Sequence, residues 1–229
     1  MNKDASVPLP DGEAIQKLFE KIAPRYDFFN HLLSGGLDIY WRRMLVQETM
    51  RHAPQRILDM GTGSGDVALA LMKAGGQVLG ADFSAPMLER ARAKGVKELV
   101  LADAMNLPFA DASFDAITLA FSLRNWADRL KGLREMRRVL CVGGRLHVLE
   151  FSQPWKILKP FYRLYLNYAV PCLTHLVGHC AEPYHYLSSS VQSFPSQHKL
   201  CDMLREAGFR EVSYRNLTGG VVALHQGLA

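Results

Sequence analysis

Cysteine is scarce in this chain. Four occur among 229 residues, Cys141, Cys172, Cys180 and Cys201, and no two stand in CxxC spacing. A disulfide framework or zinc ribbon is therefore not expected, and a reducing cytosol is the simple reading of the compartment. Long hydrophobic runs are missing too. No stretch of 18 apolar residues occurs, so no helix is expected to span a bilayer. The first twelve residues, MNKDASVPLPDG, have no apolar run and read as a flexible arm rather than a secretory signal. Dense Lys/Arg runs are absent as well. The formal net charge of +5 suits an anionic ligand or an acidic membrane surface. Without a basic patch, nucleic acid is not expected as a partner.

Apolar residues make up 48% of the chain and charged residues 21%, which leaves enough apolar side chains for a sizeable core in one domain over residues 13–229. From Glu13 to about Asn30, Ile15, Leu18, Phe19 and Ile22 recur at helical spacing. HLLSGG reads as a loop. A second helix follows from Asp38, its expected N-cap, to about His52. Residues 13–52 thus form a helical cap. The pattern then changes to short apolar runs alternating with helices. RILDM (56–60), QVLGAD (77–82), ELVLAD (98–103), FDAITLAF (114–121) and RLHVLEF (145–151) read as strands. Helices are expected at about 66–74, after Ser84, and at about 129–140, the last stopping before Gly143-Gly144. Such alternation calls for a parallel sheet with helices on both faces. After Ser196 come a helix, the strand EVSYRNL, the turn Thr218-Gly219-Gly220 and the strand VVALH. Strands joined so tightly form a hairpin, so the sheet is expected to be seven-stranded and to end with one antiparallel strand.

In such sheets ligands bind at the carboxyl ends of the strands. Asp59-Met60-Gly61-Thr62-Gly63-Ser64-Gly65-Asp66 lies at such an end. Its spacing is GxGxG, not the GxGxxG of dinucleotide enzymes. Gly61 and Gly63 permit close approach of backbone to a ligand. Asp59, two residues before Gly61, suits a cationic ligand better than a pyrophosphate. S-adenosylmethionine, with a sulfonium and an α-ammonium, is such a ligand. Asp82 ends the second strand, where an acid can accept both ribose hydroxyls. Its alternative role, capping the next helix, can be filled by Ser84. Asp103 ends the third strand, placed to accept an adenine amino group or merely to shape a surface turn.

LDMGTGSGD, ADFS and ADAMNLPF resemble the first three motifs of class I methyltransferases, which have a Rossmann-like α/β fold. The wider sequence resembles the ubiquinone/menaquinone biosynthesis C-methyltransferase family (UbiE/MenG). FEKIAPRYDFFNHLLSGGLDIYWRR, FSLRNWAD, RVLCVGGRLHVLEFSQP, YHYLSSSVQSFPSQHKLCDMLREAGF and YRNLTGGVVALHQG carry that likeness from about residue 18 to 227. The chain departs from the family at Asp38-Ile39-Tyr40-Trp41, where an HR or DR pair is usual, and at Cys141-Val142-Gly143-Gly144, where KPGG is usual. Ala120 stands where some members have Ser near the cofactor. The resemblance implies methyl transfer from S-adenosylmethionine to a ring carbon of a polyprenylated quinol, with no metal. It places Ser64, Asp82, Asp103, Ala104 and Ala120 at the cofactor. It places Arg124, Asn125 and Tyr26 at the substrate.

A ring carbon attacks well only when the ring is electron-rich, so a cation beside the phenolic oxygen would help. Arg124 is the candidate, with Asn125 orienting the ring. Arginine is essentially never deprotonated, so water, Tyr26 or a histidine is left to take the proton. On a helix His175 and His179 would share a face next to Cys180, but only Glu182 offers a third ligand, so no metal is expected and packing or a place in the tail channel is the expected role. His147, inside a strand, reads as core.

Residues 154–190 interrupt the alternation with an aromatic-rich insertion. Ile157, Leu158, Phe161, Leu164, Tyr165 and Tyr168 are expected on one helical face, with Lys156, Lys159 and Arg163 among them. This segment is expected to line a channel for an isoprenoid tail and touch the inner membrane surface. A homodimer face or a plain helical cover are its alternatives. The rival readings of the whole chain are a class I methyltransferase for another small molecule or RNA, and a protein that binds S-adenosylmethionine without catalysis.

Overall fold

The computed structural model describes residues 31–170 and 182–229. Helix α1 (Leu37–Met50) leads into β1 (Arg56–Met60), α2 (Asp66–Lys73), β2 (Gln77–Asp82), α3 (Ala85–Lys94) and β3 (Glu98–Leu101). Then come β4 (Phe114–Ala120), a 3-10 turn (Leu123–Asn125), α4 (Arg129–Val139) and β5 (Leu140–Phe151). Helix α5 (Lys159–Leu164) runs on into a π-helical turn (Tyr165–Ala169). The last elements are α6 (Glu182–Ser193), α7 (Gln197–Glu206), β6 (Arg210–Leu217) and β7 (Val222–Leu228).

The seven strands form one sheet in the order β3-β2-β1-β4-β5-β7-β6. β1 is parallel to β2 and β4, β2 to β3, and β4 to β5. β7 runs against both β5 and β6. The lone antiparallel strand therefore sits one place in from the edge, because the Thr218–Gly220 turn folds it back between β6 and β5.

Strand side chains alternate between the two faces. Leu58, Met60, Ile117, Leu119, Leu146 and Val148 pack beneath α4 and α7, against Leu133, Met136, Leu200 and Leu204. Ile57, Ala116 and Leu149 pack on the opposite face, against Trp41 and Leu45 of α1 and Val67 and Leu71 of α2. Burial on both faces is why the strands read as near-continuous apolar runs. The same alternation turns Asp59 and Thr118, partners across β1 and β4, toward the α1 and α2 side.

Three boundaries differ from expectation. Residues 31–34 are helical, so only Gly35-Gly36 turn. Gly36, in left-handed backbone at φ 80°, holds the N-cap of α1, and Asp38 lies buried in the first turn instead. Helix α4 ends at Val139, as its spacing led one to expect, but β5 begins at once at Leu140 rather than at Arg145, so Gly143-Gly144 lie within the strand, where its pairing with β4 changes register, instead of stopping the helix. Ser84 does occupy the N-cap of α3, but its hydroxyl bonds no helix amide. Among the described residues no helix is long and apolar enough to cross a membrane.

Candidate active site

Strand order reverses beside β1, whose neighbours are β2 and β4. Such a switch point leaves a crevice at the carboxyl ends of the strands. A cavity of about 430 Å³ opens there. Asp59, Gly61, Thr62, Gly63 and Ser64 form one wall, and Ala120, Phe121 and Arg124 come from the end of β4 and the turn that follows it. Asp38, Trp41 and Arg42 come from α1, and Tyr162, Tyr165 and Leu166 from α5 and its π-turn.

The glycine-rich wall is held by its own hydrogen bonds. Thr62 Oγ1 and Thr118 Oγ1 each donate to Asp59 at 2.7 Å. Burial pushes the Asp59 carboxyl up to about 6, although the two hydroxyls oppose the shift. The nearby Asp82 charge adds to the push. Gly61 adopts φ 70°, and a Cβ there would lie 2.5 Å from Cβ of Ser122, so only glycine lets the loops after β1 and β4 meet. Gly63, at φ 55°, has open space where a Cβ would stand. Asp82 accepts the Gly63 amide at 2.8 Å and the Ser84 amide at 2.9 Å. Burial raises its carboxyl, against the pull of those amides.

Ser64 is buried and accepts from Lys94 Nζ at 3.1 Å. Lys94 also pairs with Asp66 at 2.7 Å, and Arg42 lies 3.6 Å from the same carboxylate. Arg42 bonds Asp38 as well, which takes Ser34 Oγ at 2.7 Å and His31 Nδ1 at 2.8 Å. Burial alone would raise the Asp38 carboxyl, but these partners hold it below the usual range. Asp103 and Ala104 lie off the cavity wall. Asp103 is exposed and accepts the Met105 amide at 2.9 Å, which shapes a turn, while Ala104 packs into the core.

Arg124 is buried, with its guanidinium 3.0 Å from Glu150 Oε1. NH1 also donates to the Phe121 carbonyl, and the guanidinium stacks 5.4 Å from the Phe151 ring centroid. Glu150 further accepts the Phe151 amide at 2.9 Å and the Arg124 amide at 3.3 Å. Arg124 is therefore both salt-bridged and a cavity residue; its Nε is buried without a partner among the described residues. Asn125 does not line the cavity; it accepts the Tyr186 hydroxyl of α6 at 3.0 Å. Tyr26, His175, His179 and Cys180 lie outside the described residues. His147 is fully buried within β5, where burial lowers its imidazole to about 3, and it lines a separate cavity with His52 and Asp115.

The ubiE/COQ5 methyltransferase family model matches residues 9–229. The chain belongs to that family. A demethylmenaquinone methyltransferase of Deinococcus radiodurans is 45% identical, over 94% of this chain and 92% of that protein. A protein of the same name from Thermus thermophilus is 47% identical, over 92% of this chain and 99% of that one. The ubiquinone/menaquinone biosynthesis C-methyltransferase UbiE of Chromobacterium violaceum is 41% identical, over 93% and 91%. Among solved structures, a SAM-dependent methyltransferase from Thermotoga maritima aligns with a TM-score of 0.64 at 20% identity, covering 93% of this chain and 98% of that one, a likeness of fold.

As a member of the ubiE/COQ5 family, the chain has a cavity whose residues fit S-adenosylmethionine. Gly63 leaves room against the wall for a ligand, and the buried Asp59 carboxylate on that wall can face its positive groups, whereas Asp82 lies off the cavity wall and holds the Gly63 amide. Sequence reasoning missed Glu150, Tyr162, Tyr186 and Arg42. Glu150 lies inside the quoted LEFS motif and Arg124 inside FSLRN, but the pairing of two motifs 26 residues apart is set by the β4–β5 register. The direction of Tyr162 was available from helical spacing. Leu158, Tyr162 and Tyr165 recur at four and three residues, and Tyr162 and Tyr165 line the cavity. The single helical face expected for these residues loses Tyr165, which is partly buried and donates to the Leu33 carbonyl, whereas Ile157, Leu158, Phe161, Leu164 and Tyr168 are exposed.

Proposed function

We propose that this chain transfers a methyl group from S-adenosylmethionine to a ring carbon of a polyprenylated quinol, a demethylated naphthoquinol or its benzoquinol counterpart. One observation carries the reading. A single cavity joins the glycine-rich wall and its buried Asp59 to an aromatic and apolar wall containing Arg124. S-adenosylmethionine, when bound, supplies an electrophilic methyl. The ring carbon would gain that methyl as the S–CH3 bond breaks to leave a neutral thioether, and its proton would pass to water or a nearby side chain, so the protein's tasks are placement and charge.

Placement falls to the aromatic wall. Phe121, Phe151 and Tyr165 line it, and Leu166, Val170 and Val191 pack together behind it as an apolar lining for the first isoprene units. Holding a ring in line with the methyl removes much of the entropic barrier. Charge falls to Arg124. Glu150 neutralises it at rest, so the cavity accepts a neutral quinol. As the ring oxygen gains negative charge, the guanidinium stabilises it in a water-poor site. The outer face of α5 and the turn before it meets an anionic membrane surface. Trp155, Ile157, Phe161, Leu164 and Tyr168 are exposed there with Lys156, Lys159 and Arg163. The enzyme then works in the cytoplasm at the inner face of the bilayer.

The test is incubation with isotopically labelled S-adenosylmethionine and each demethylated quinol, followed by mass spectrometry of the lipid extract. Label on the ring carbon of either quinol is expected. Cofactor binding without transfer to either would sink the reading and favour another small-molecule substrate or a non-catalytic role.

A further inference from the structure

Two buried donors on this cavity wall have no partner among the described residues: Arg124 Nε and the hydroxyl of Tyr162. A buried hydroxyl without a hydrogen bond carries its full desolvation cost, which a folded protein rarely retains without a use. Tyr162 reaches the cavity from α5, a different element from the loop bearing Arg124, and feels the charges of both Arg124 and Glu150. Burial raises its phenol above the ordinary range, so it stays protonated and can donate. Its neighbours do not compete for it. Tyr165 bonds the Leu33 carbonyl, and Tyr186 bonds Asn125.

We propose that the Tyr162 hydroxyl donates a hydrogen bond to the substrate's ring oxygen, beside Arg124 Nε, so that two donors from different elements hold that oxygen. The assignment rests on the quinol reading above. A quinol oxygen accepts such bonds while neutral and accepts them more strongly as it becomes a phenolate, so the pair favours the transition state over the bound quinol. It also selects substrates with an oxygen adjacent to the reacting carbon. An aromatic ring lacking that oxygen would leave both donors unpaired again.

Tyr162→Phe separates this role from a structural one, because the ring is kept and only the hydroxyl is lost. A hydroxyl that bonds nothing in the unliganded protein costs stability, so the variant should melt at the wild-type temperature or slightly above it. Cofactor affinity should stay within about twofold, while kcat on the demethylated quinol falls about tenfold or more, the loss of one hydrogen bond to a charged group. Wild-type turnover in Tyr162→Phe overturns the assignment and leaves the quinol reaction standing. A lower melting temperature with a proportionate loss of active protein also overturns it, since the hydroxyl then has a structural partner. If the wild type methylates neither quinol, both readings fall together.

Discussion

The two walls of the cavity treat their buried polar groups differently. On the glycine-rich wall, Asp59 holds two threonine hydroxyls, and Asp82, off the cavity, holds that wall's Gly63 amide and the Ser84 amide before any ligand arrives. On the α5 side, the Tyr162 hydroxyl and Arg124 Nε hold nothing among the described residues. The first wall is a preorganised receptor whose shape is fixed by local geometry, and a ligand adds to bonds already made. The second wall is completed by what enters it. Changes on the first wall should therefore act mainly through cofactor binding, and changes on the second mainly through turnover.

The largest expected effect tests that division at Arg124. Arg124→Ala should leave cofactor affinity near normal and lower turnover by about two to three orders of magnitude, as loss of an oxyanion donor does. It should also destabilise the fold, because Glu150 is then buried and unpaired, at a cost of about 3–5 kcal/mol. The double variant Arg124→Leu with Glu150→Leu removes both charges and should recover most of that stability without recovering turnover. Calorimetry, melting curves and single-turnover rates read the three quantities separately. Recovery of turnover in the double variant would make Arg124 a structural residue.

A smaller effect should appear on the glycine-rich wall as pH falls. The Asp59 carboxyl has its folded value raised from 3.8 to about 6, chiefly by burial. Between those values the folded state binds the proton more tightly than the unfolded state. The stabilising contribution of the protonated group is thus full below about 3.8 and lost as pH rises through about 6. A cationic ligand favours the ionised form, so its affinity should move the opposite way. S-adenosylmethionine binding should weaken on acidification below about pH 6, by up to about tenfold per pH unit for one coupled proton. Turnover at saturating cofactor should follow a different profile. Asp59→Asn should flatten this component of both stability and binding; an unchanged pH profile in that variant would remove Asp59 from the cofactor's surroundings.

The two walls were also unequally legible. Asp59, Gly61, Gly63 and Ser64 could be located from sequence because strand end, acid and glycines are contiguous and each answers a local demand. Asp103 shows the limit of that logic. Sequence placed it at a strand end like the others, yet β3, the sheet's outer strand, stops at Leu101, and Asp103 is exposed in the turn beyond it. Asp38 misled for a local reason too. A left-handed glycine two residues earlier took the cap, which freed the carboxylate for His31, Ser34 and Arg42. The other wall is tertiary. Arg124 meets Glu150 only because β4 and β5 are neighbours, and Tyr162 meets the cavity only because α5 folds back over the strand ends. Spacing could say which side of α5 Tyr162 shares, but not what that side would cover.

The smallest expected effect concerns the far side of α5, where the same helix that lines the cavity presents Phe161 and Leu164 to solvent, 69% and 59% exposed. A quinol tail partitions into lipid, and among the described residues no helix is long and apolar enough to cross a membrane, so they have to meet the substrate at the bilayer surface or extract it. Lys156, Lys159 and Arg163 are exposed among these apolar side chains and suit lipid phosphates. Each cation near an anionic surface contributes about 1 kcal/mol, so Lys159→Gln alone should weaken binding to anionic vesicles about fivefold at low salt. Neutral vesicles should bind less, and raised salt should erase the difference between variant and wild type. The triple change of Lys156, Lys159 and Arg163 to Gln should slow methylation of a long-tailed quinol more than that of a short-tailed one, because only the former must leave the bilayer. Equal slowing on both substrates, with vesicle binding indifferent to salt, would point to contact between copies of the chain. Sedimentation of the wild type against Phe161→Asp would then detect that contact directly. The outer face of α5 would in that case cover itself, and the route of the tail into the cavity would have to pass elsewhere.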